Sequence, residues 1–179
     1  YALDALEQAE QTEDAAAGYE QLLETHPSAL VLILRQRFER RARGIEAARK
    51  SFQAARKHKA CDASVYVAAA MLEFRGNKQE AVARNIFELA LKKFPGDMLV
   101  LSSYLDYLES RNDDNNTRAV LERAVAATTG ADRDYFLGRF LAFEAFGTRS
   151  AGDLGALSAL EARAAQHSTE GEEGAEGSP

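Results

Sequence analysis

The chain has no tryptophan, one cysteine and three prolines in 179 residues. With Cys61 alone, no intramolecular disulfide can form, a usage that suits a reducing compartment. So few prolines leave long stretches free to run as helix. No apolar run approaches the length of a membrane span. The histidines His26, His58 and His167 lie far apart, without metal-ligand spacing. No glycine-rich loop is built to cradle a phosphate. Asp113-Asp114-Asn115 lacks the glycine and closing glutamate of an EF-hand calcium loop. Asn115-Asn116-Thr117 matches a glycosylation sequon by letters, and reads here as a helix cap. No nucleophile–base pattern stands out. These absences argue against an enzyme, and no cofactor, metal or small-molecule substrate is expected.

Charge of one sign is also missing where it would matter. Residues 1–30 carry seven acids and no lysine or arginine, and the chain as a whole has a net charge of −6. That balance does not suit a protein built to lie along a polyanion. The basic charge is concentrated instead. Residues 35–59 carry ten Lys/Arg against Glu39 and Glu46. Within it, Arg37, Arg40, Arg41, Arg43 and Lys57 are a candidate patch for RNA or an acidic partner. The simpler reading is the solvated outer face of two adjacent helices.

What is abundant is Leu, Ala, Glu and Arg, a helix-forming composition. It is also periodic. An apolar residue followed by glutamate recurs at Leu6-Glu7, Phe38-Glu39, Leu72-Glu73, Leu108-Glu109 and Phe143-Glu144. The steps between these glutamates are 32, 34, 36 and 35. After the first four of them, a large apolar residue follows at Tyr19, Phe52, Phe87 and Leu121. A fixed period of this size marks a helical repeat array, in which each helix pair exposes an apolar stripe that its neighbour covers. Helices are expected over 1–9, 13–25, 29–43, 45–58, 63–75, 78–93, 97–110, from the Asp113 cluster to about 128, over 132–146 and over 153–166. Gly44 is expected as a left-handed cap. Tyr1 falls within a helical pattern, so the first repeat is expected to be truncated. Residues 1–166 form the expected array. Residues 167–179, rich in Gly, Ser and Glu, bury nothing large and are expected to be a disordered tail.

Packing explains most of the recurring positions: Phe38, Phe52, Tyr66, Leu72, Phe87, Leu108, Leu121 and Phe143. The glutamates are harder to account for. Arg49, Arg84 and Arg118 recur near the start of each second helix. A contact within each pair is therefore expected: Glu39 with Arg49, Glu73 with Arg84, Glu109 with Arg118. Glu144 occupies the equivalent position in the last pair. A second apolar stripe holds Tyr104 and Tyr107, which are a candidate dimer interface.

Tyr66, Ala69, Leu72 and Glu73, followed by Ala83, Arg84, Ile86, Phe87, Glu88 and Ala90, resemble the half-a-TPR (HAT) repeat. Arg40-Arg41-Ala42-Arg43-Gly44-Ile45, Val65-Tyr66-Val67-Ala68-Ala69 and Ile86-Phe87-Glu88-Leu89-Ala90-Leu91-Lys92-Lys93 narrow it further. So do Asp113-Asp114-Asn115-Asn116-Thr117-Arg118 and Arg139-Phe140-Leu141-Ala142-Phe143-Glu144. Together they resemble the HAT-repeat scaffold subunit of cleavage stimulation factor, the suppressor of forked family. The chain departs from it in lacking the tryptophan that opens some first helices; Leu32, Tyr66, Ser102 and Leu137 stand there.

The resemblance implies an all-α fold: a right-handed α-solenoid of antiparallel helix pairs, HAT/TPR-like, with about five repeats. It implies a nuclear, non-catalytic scaffold of pre-mRNA cleavage and polyadenylation. It places this chain in the C-terminal half of the array, where the family homodimerises. The implied partners are a second copy and other cleavage and polyadenylation subunits, with RNA contacted indirectly or weakly. Alternatives are a HAT scaffold of splicing or rRNA processing, or a direct RNA-binding module using the basic 35–59 stretch.

Overall fold

A computed structural model describes residues 12–147 together with residue 162. The helix expected over 1–9, nearly all of that over 153–166, and the tail from 167 lie outside the described residues. Among the described residues there are eight α-helices and no strand, an all-α helical-repeat fold. The chain divides into two compact units, residues 1–100 and 101–179.

In the first unit, α1 spans Thr12–Thr25, α2 Ala29–Ala42, α3 Ile45–Ala55, α4 Ala63–Met71 and α5 Glu80–Lys93. Polar caps set the starts. The Ser28 hydroxyl accepts from the Val31 N–H at 3.3 Å, and the Asp62 carboxylate accepts from the Ser64 N–H at 2.9 Å. Each satisfies a helix-end donor that would otherwise lack a partner. Short connections make consecutive helices antiparallel neighbours. α2 packs on α1, α3 and α4, and α4 packs on α5.

Aromatic rings bind these layers. Tyr19 of α1 meets Phe38 of α2 with centroids 5.2 Å apart. Phe52 of α3 meets the edge of Tyr66 of α4 at 5.4 Å, and Tyr66 meets Phe94 at 5.7 Å. Pairs in this range add about 0.5–1.5 kcal/mol beyond the area they bury. Ala48 and Ala83 are fully buried beside them, small enough to let helices approach closely.

Three boundaries differ from the periodicity. α3 stops at Ala55 rather than residue 58. There the chain closes into tight turns, with the Lys57 N–H on the Ala54 carbonyl at 3.1 Å, and His58 Nδ1 accepts from the Ala60 N–H at 3.1 Å. α4 is followed by a five-residue π segment, Leu72–Gly76, in which the Asn77 N–H reaches back to the Leu72 carbonyl at 3.0 Å. α5 begins at Glu80 because Lys78 sits at φ +57°, which breaks the helix.

Gly44 does adopt positive φ, at +91°. Its ψ of −170° places it outside the expected left-handed cap, in a region open essentially to glycine alone. A Cβ there would touch nothing within 4 Å. Gly44→Ala is therefore expected to cost about 1–3 kcal/mol through backbone strain, not through a clash. A lowered urea midpoint at unchanged slope is the expected observation.

α6, Met98–Glu109, runs across the boundary between the units. In the second unit, α7 spans Asp114–Ala127 and packs on α8, Gly130–Gly147. The acidic-amide cluster acts as a cap, as read from the sequence. Asp113 accepts from the Asn116 N–H at 3.4 Å and from the Asn116 side-chain amide at 2.8 Å. Leu105, Leu108, Leu121, Ala124 and Phe136 are fully buried.

Candidate functional site

The recurring glutamates are interior groups. Among the described residues, Glu73 is 4% exposed and Glu144 1%, and Glu39 is also buried, whereas Glu109 lies at the surface. Buried carboxylates need paired charge, and the pairing differs from the expected one. Arg49 of α3 does not close on Glu39 of its own pair. It grips Glu73, beyond the end of α4, through two bonds of 2.8 and 3.0 Å. Arg118 of α7 pairs with Glu144 of α8 in place of Glu109. Glu39 is held by Arg43, at the C-terminal cap of α2, at 3.1 Å. Glu109 is held by Arg139 at 2.8 Å, and Arg139 also takes Asp106 at 2.7 Å.

The physical reason is the stacking itself. Arg43, which follows α2, already holds Glu39, and the acids that Arg49 meets are Glu73 and Glu46. The Arg49–Glu73 and Arg118–Glu144 contacts join one helix pair to the next.

Glu73 is the most elaborate of these sites. It lies within the π segment, and Asn77, itself buried, donates its amide to Glu73 Oε2 at 3.1 Å. The other face of the Asn77 amide accepts from Arg40 Nε of α2. Arg40, Asn77, Glu73 and Arg49 thus form one chain across α2, α3 and the π segment. Burial, the largest influence on Glu73, pushes its carboxyl up. The Arg49 and Asn77 hydrogen bonds and the charges of Arg49 and Arg40 outweigh it and hold the group below the usual carboxylate range. Glu73 hydrogen bonding raises Arg49 in turn.

The expected dimer surface needs correction. Tyr104 and Tyr107 are 1% and 2% exposed in the single chain, with rings stacked 6.2 Å apart. They are already covered and present no face to a second copy. The exposed large apolar residues are others, led by Leu30 at 62%, with Leu34 one turn along α2.

Among the described residues, no three His, Cys, Asp or Glu side chains group to hold a metal ion. No described helix is long and apolar enough to cross a membrane. What the geometry displays is a set of repeats locked by buried ion pairs. A family model described as "Suppressor of forked protein (Suf)" matches residues 2–176. The chain belongs to the suppressor of forked family. It is 40% identical over 136 residues to "Cleavage stimulation factor subunit 77" of Arabidopsis thaliana, covering 76% of this chain and 18% of that protein. It is 47% identical over 102 residues to "mRNA 3'-end-processing protein RNA14" of Cryptococcus neoformans, covering 57% of this chain and 10% of that one. Against "Protein suppressor of forked" of Drosophila melanogaster it is 41% identical over 98 residues, covering 55% and 13%. The chain thus spans less than a fifth of the length of these relatives.

In this suppressor of forked chain the predicted basic patch is partly spent on structure. Arg40 is bound to Asn77, and Arg43 bridges Glu39 and Glu13 of α1, the latter at 2.9 Å. Arg37, Arg41 and Lys57 are exposed. Of the packing positions, Phe38, Phe52, Tyr66, Phe87, Leu108 and Leu121 are buried, and Leu72, Arg84 and Phe143 are half-buried. The Arg118 guanidinium lies 5.8 Å from the Phe143 ring centre. Asn77, through hydrogen bonds, and Arg139, through ion pairs, hold these carboxylates, and the repeat pattern did not single them out. Asn77 reads as a turn residue, and Arg139 falls outside the Glu–Arg spacing.

Proposed function

We propose that this chain is the C-terminal HAT-repeat portion of a non-catalytic scaffold for pre-mRNA cleavage and polyadenylation. It joins to a second copy of itself and docks other processing factors in the nucleus, and it touches RNA only indirectly or weakly. The observation that carries this reading is the family match across residues 2–176. The names of the relatives, an mRNA 3'-end-processing protein and a cleavage stimulation factor subunit, point the same way. The helix pairs give the reading a physical form. Buried ion pairs hold successive layers in fixed register, which is what a platform for other proteins requires.

Two measurements test it. Extract depleted of the whole protein should regain pre-mRNA cleavage on adding back the intact protein, but not on adding back one lacking residues 12–147. Equal recovery by both would remove this segment from the function. Light scattering over a dilution series should give twice the chain mass throughout; the mass of one chain at every concentration would end the self-association reading.

A further inference from the structure

Beyond this reading, a cleft in the first unit has features that structural needs do not explain. It lies over Tyr66, between the C-terminal ends of α3 and α5. It has a volume of about 510 Å³ and is lined by Gln53, Arg56, Lys57, Tyr66 and Lys93. α3 ends at Ala55, and the turns that follow hold Arg56 and Lys57 at its end. α5 closes on Lys93. Cations are favoured at helix C-termini by the backbone dipole. That preference accounts for their presence and not for their convergence on one hollow.

The three cations share a second property. Among the described residues, none of them has a carboxylate partner. Arg35, Arg43, Arg49, Arg118 and Arg139 all do. Acids are not scarce, since the chain has 28 of them against 22 Lys/Arg. Arg56 instead lies 5.8 Å from the ring centres of both Phe52 and Tyr66, and its Nε donates to the Tyr66 hydroxyl at 3.4 Å. Lys93 Nζ lies 5.2 Å from the Tyr66 centre and 5.3 Å from that of Phe94. The rings orient these cations without neutralising them. The acid nearest Arg56 and Lys57 in sequence, Asp62, is committed to the Ser64 N–H and hydroxyl as the cap of α4, and the acid nearest Lys93, Asp97, accepts from the Val100 N–H at 3.0 Å. The charge is felt at Cys61: burial pushes its thiol up, and Lys93 and Arg56 oppose that shift.

We propose that this cleft is a docking site for an acidic peptide segment of a partner protein, whose carboxylates are received by Arg56, Lys57 and Lys93. The charge complementarity is direct, and the Gln53 amide adds a neutral donor and acceptor for the peptide backbone. RNA fits less well. Single-stranded nucleic acid uses open aromatic faces on which bases stack. Tyr66 is 3% exposed and Phe52 is buried, with cations over both rings. The net charge of −6 opposes a long polyanion, whereas a short acidic segment meets only the local field.

The test uses the whole chain and a fluorescein-labelled hexaglutamate peptide, read by fluorescence polarisation at low salt. Lys57→Glu makes no ring contact and keeps the fold, and it should weaken binding about tenfold; adding Lys93→Glu should abolish it. A control carrying Lys50→Glu and Lys78→Glu makes the same charge change away from the cleft and should bind like the parent. Equal weakening by the control would show diffuse attraction and overturn the proposal. So would the absence of peptide binding by the parent. Tighter binding of labelled hexauridylate than of the peptide, with the same loss on Lys57→Glu, would replace the peptide with RNA.

Discussion

Phe87→Ala is expected to lower the unfolding free energy by about 3–5 kcal/mol. Phe87 is fully buried on α5, and Ala83 and Ala90, one turn to either side, are fully buried too. Small neighbours cannot swing in to fill the space, so the cavity stays open. Whole domains hold only about 5–15 kcal/mol, so the loss takes a large share of what the chain has. In a layered array each pair leans on its neighbours, so the damage spreads to α4. Urea unfolding followed by helix circular dichroism measures it. Phe87→Leu should recover much of the loss, because it restores volume without the ring. A Phe87→Ala midpoint within error of the parent would mean that the ring does not fill the space between layers.

Arg49→Ala is expected to cost about 3 kcal/mol at neutral pH, the low end for breaking a buried pair because Arg49 itself is about one-third exposed. The substitution strands Glu73 with the Asn77 amide and the more distant charge of Arg40. The sign of the pH dependence follows from the parent. Its Glu73 carboxyl is held below the ordinary value of about 4.3, so its contribution is fully present above that pH. The contribution is lost as pH falls through the depressed native value. The gap between parent and Arg49→Ala should therefore narrow on acidification, as Glu73 takes up a proton in both. In a Glu73→Gln background the same arginine substitution should cost far less, and a double-mutant cycle isolates the difference. A gap independent of pH would remove the ion pair as its source.

The helices and their order were legible because hydropathy repeats at the helical period and polar residues mark the starts. Ser28, Asp62 and Asp113 cap the helices that follow them. The importance of the glutamates was legible too, because a charge that returns beside an apolar residue is hard to explain as surface. Their partners were not. The spacing sets an arginine between two first helices without saying which carboxylate it meets, and Arg43 already holds Glu39. The π segment was hidden for a related reason. Its extra residue per turn leaves the apolar positions of Leu72 and Phe74 looking helical, while it carries Asn77 round to Glu73. Tyr104 and Tyr107 failed as a surface because side chains buried within their own chain show the same apolar stripe as ones offered to a partner.

The direction of the ion pairs bears on how such a chain can be cut and how it is made. A break in the loop between α3 and α4 separates Arg49 from Glu73. The upstream piece is left with a cation about one-third open to water, which it can solvate. The downstream piece is left with the carboxylate that the intact chain buries, without the arginine that neutralises it and without α2 and α3, which pack on α4. Pieces that begin within the array should therefore fare worse than pieces that end within it. Synthesis runs in the tolerant direction: when Glu73 leaves the ribosome, the arginine that will neutralise it is already waiting.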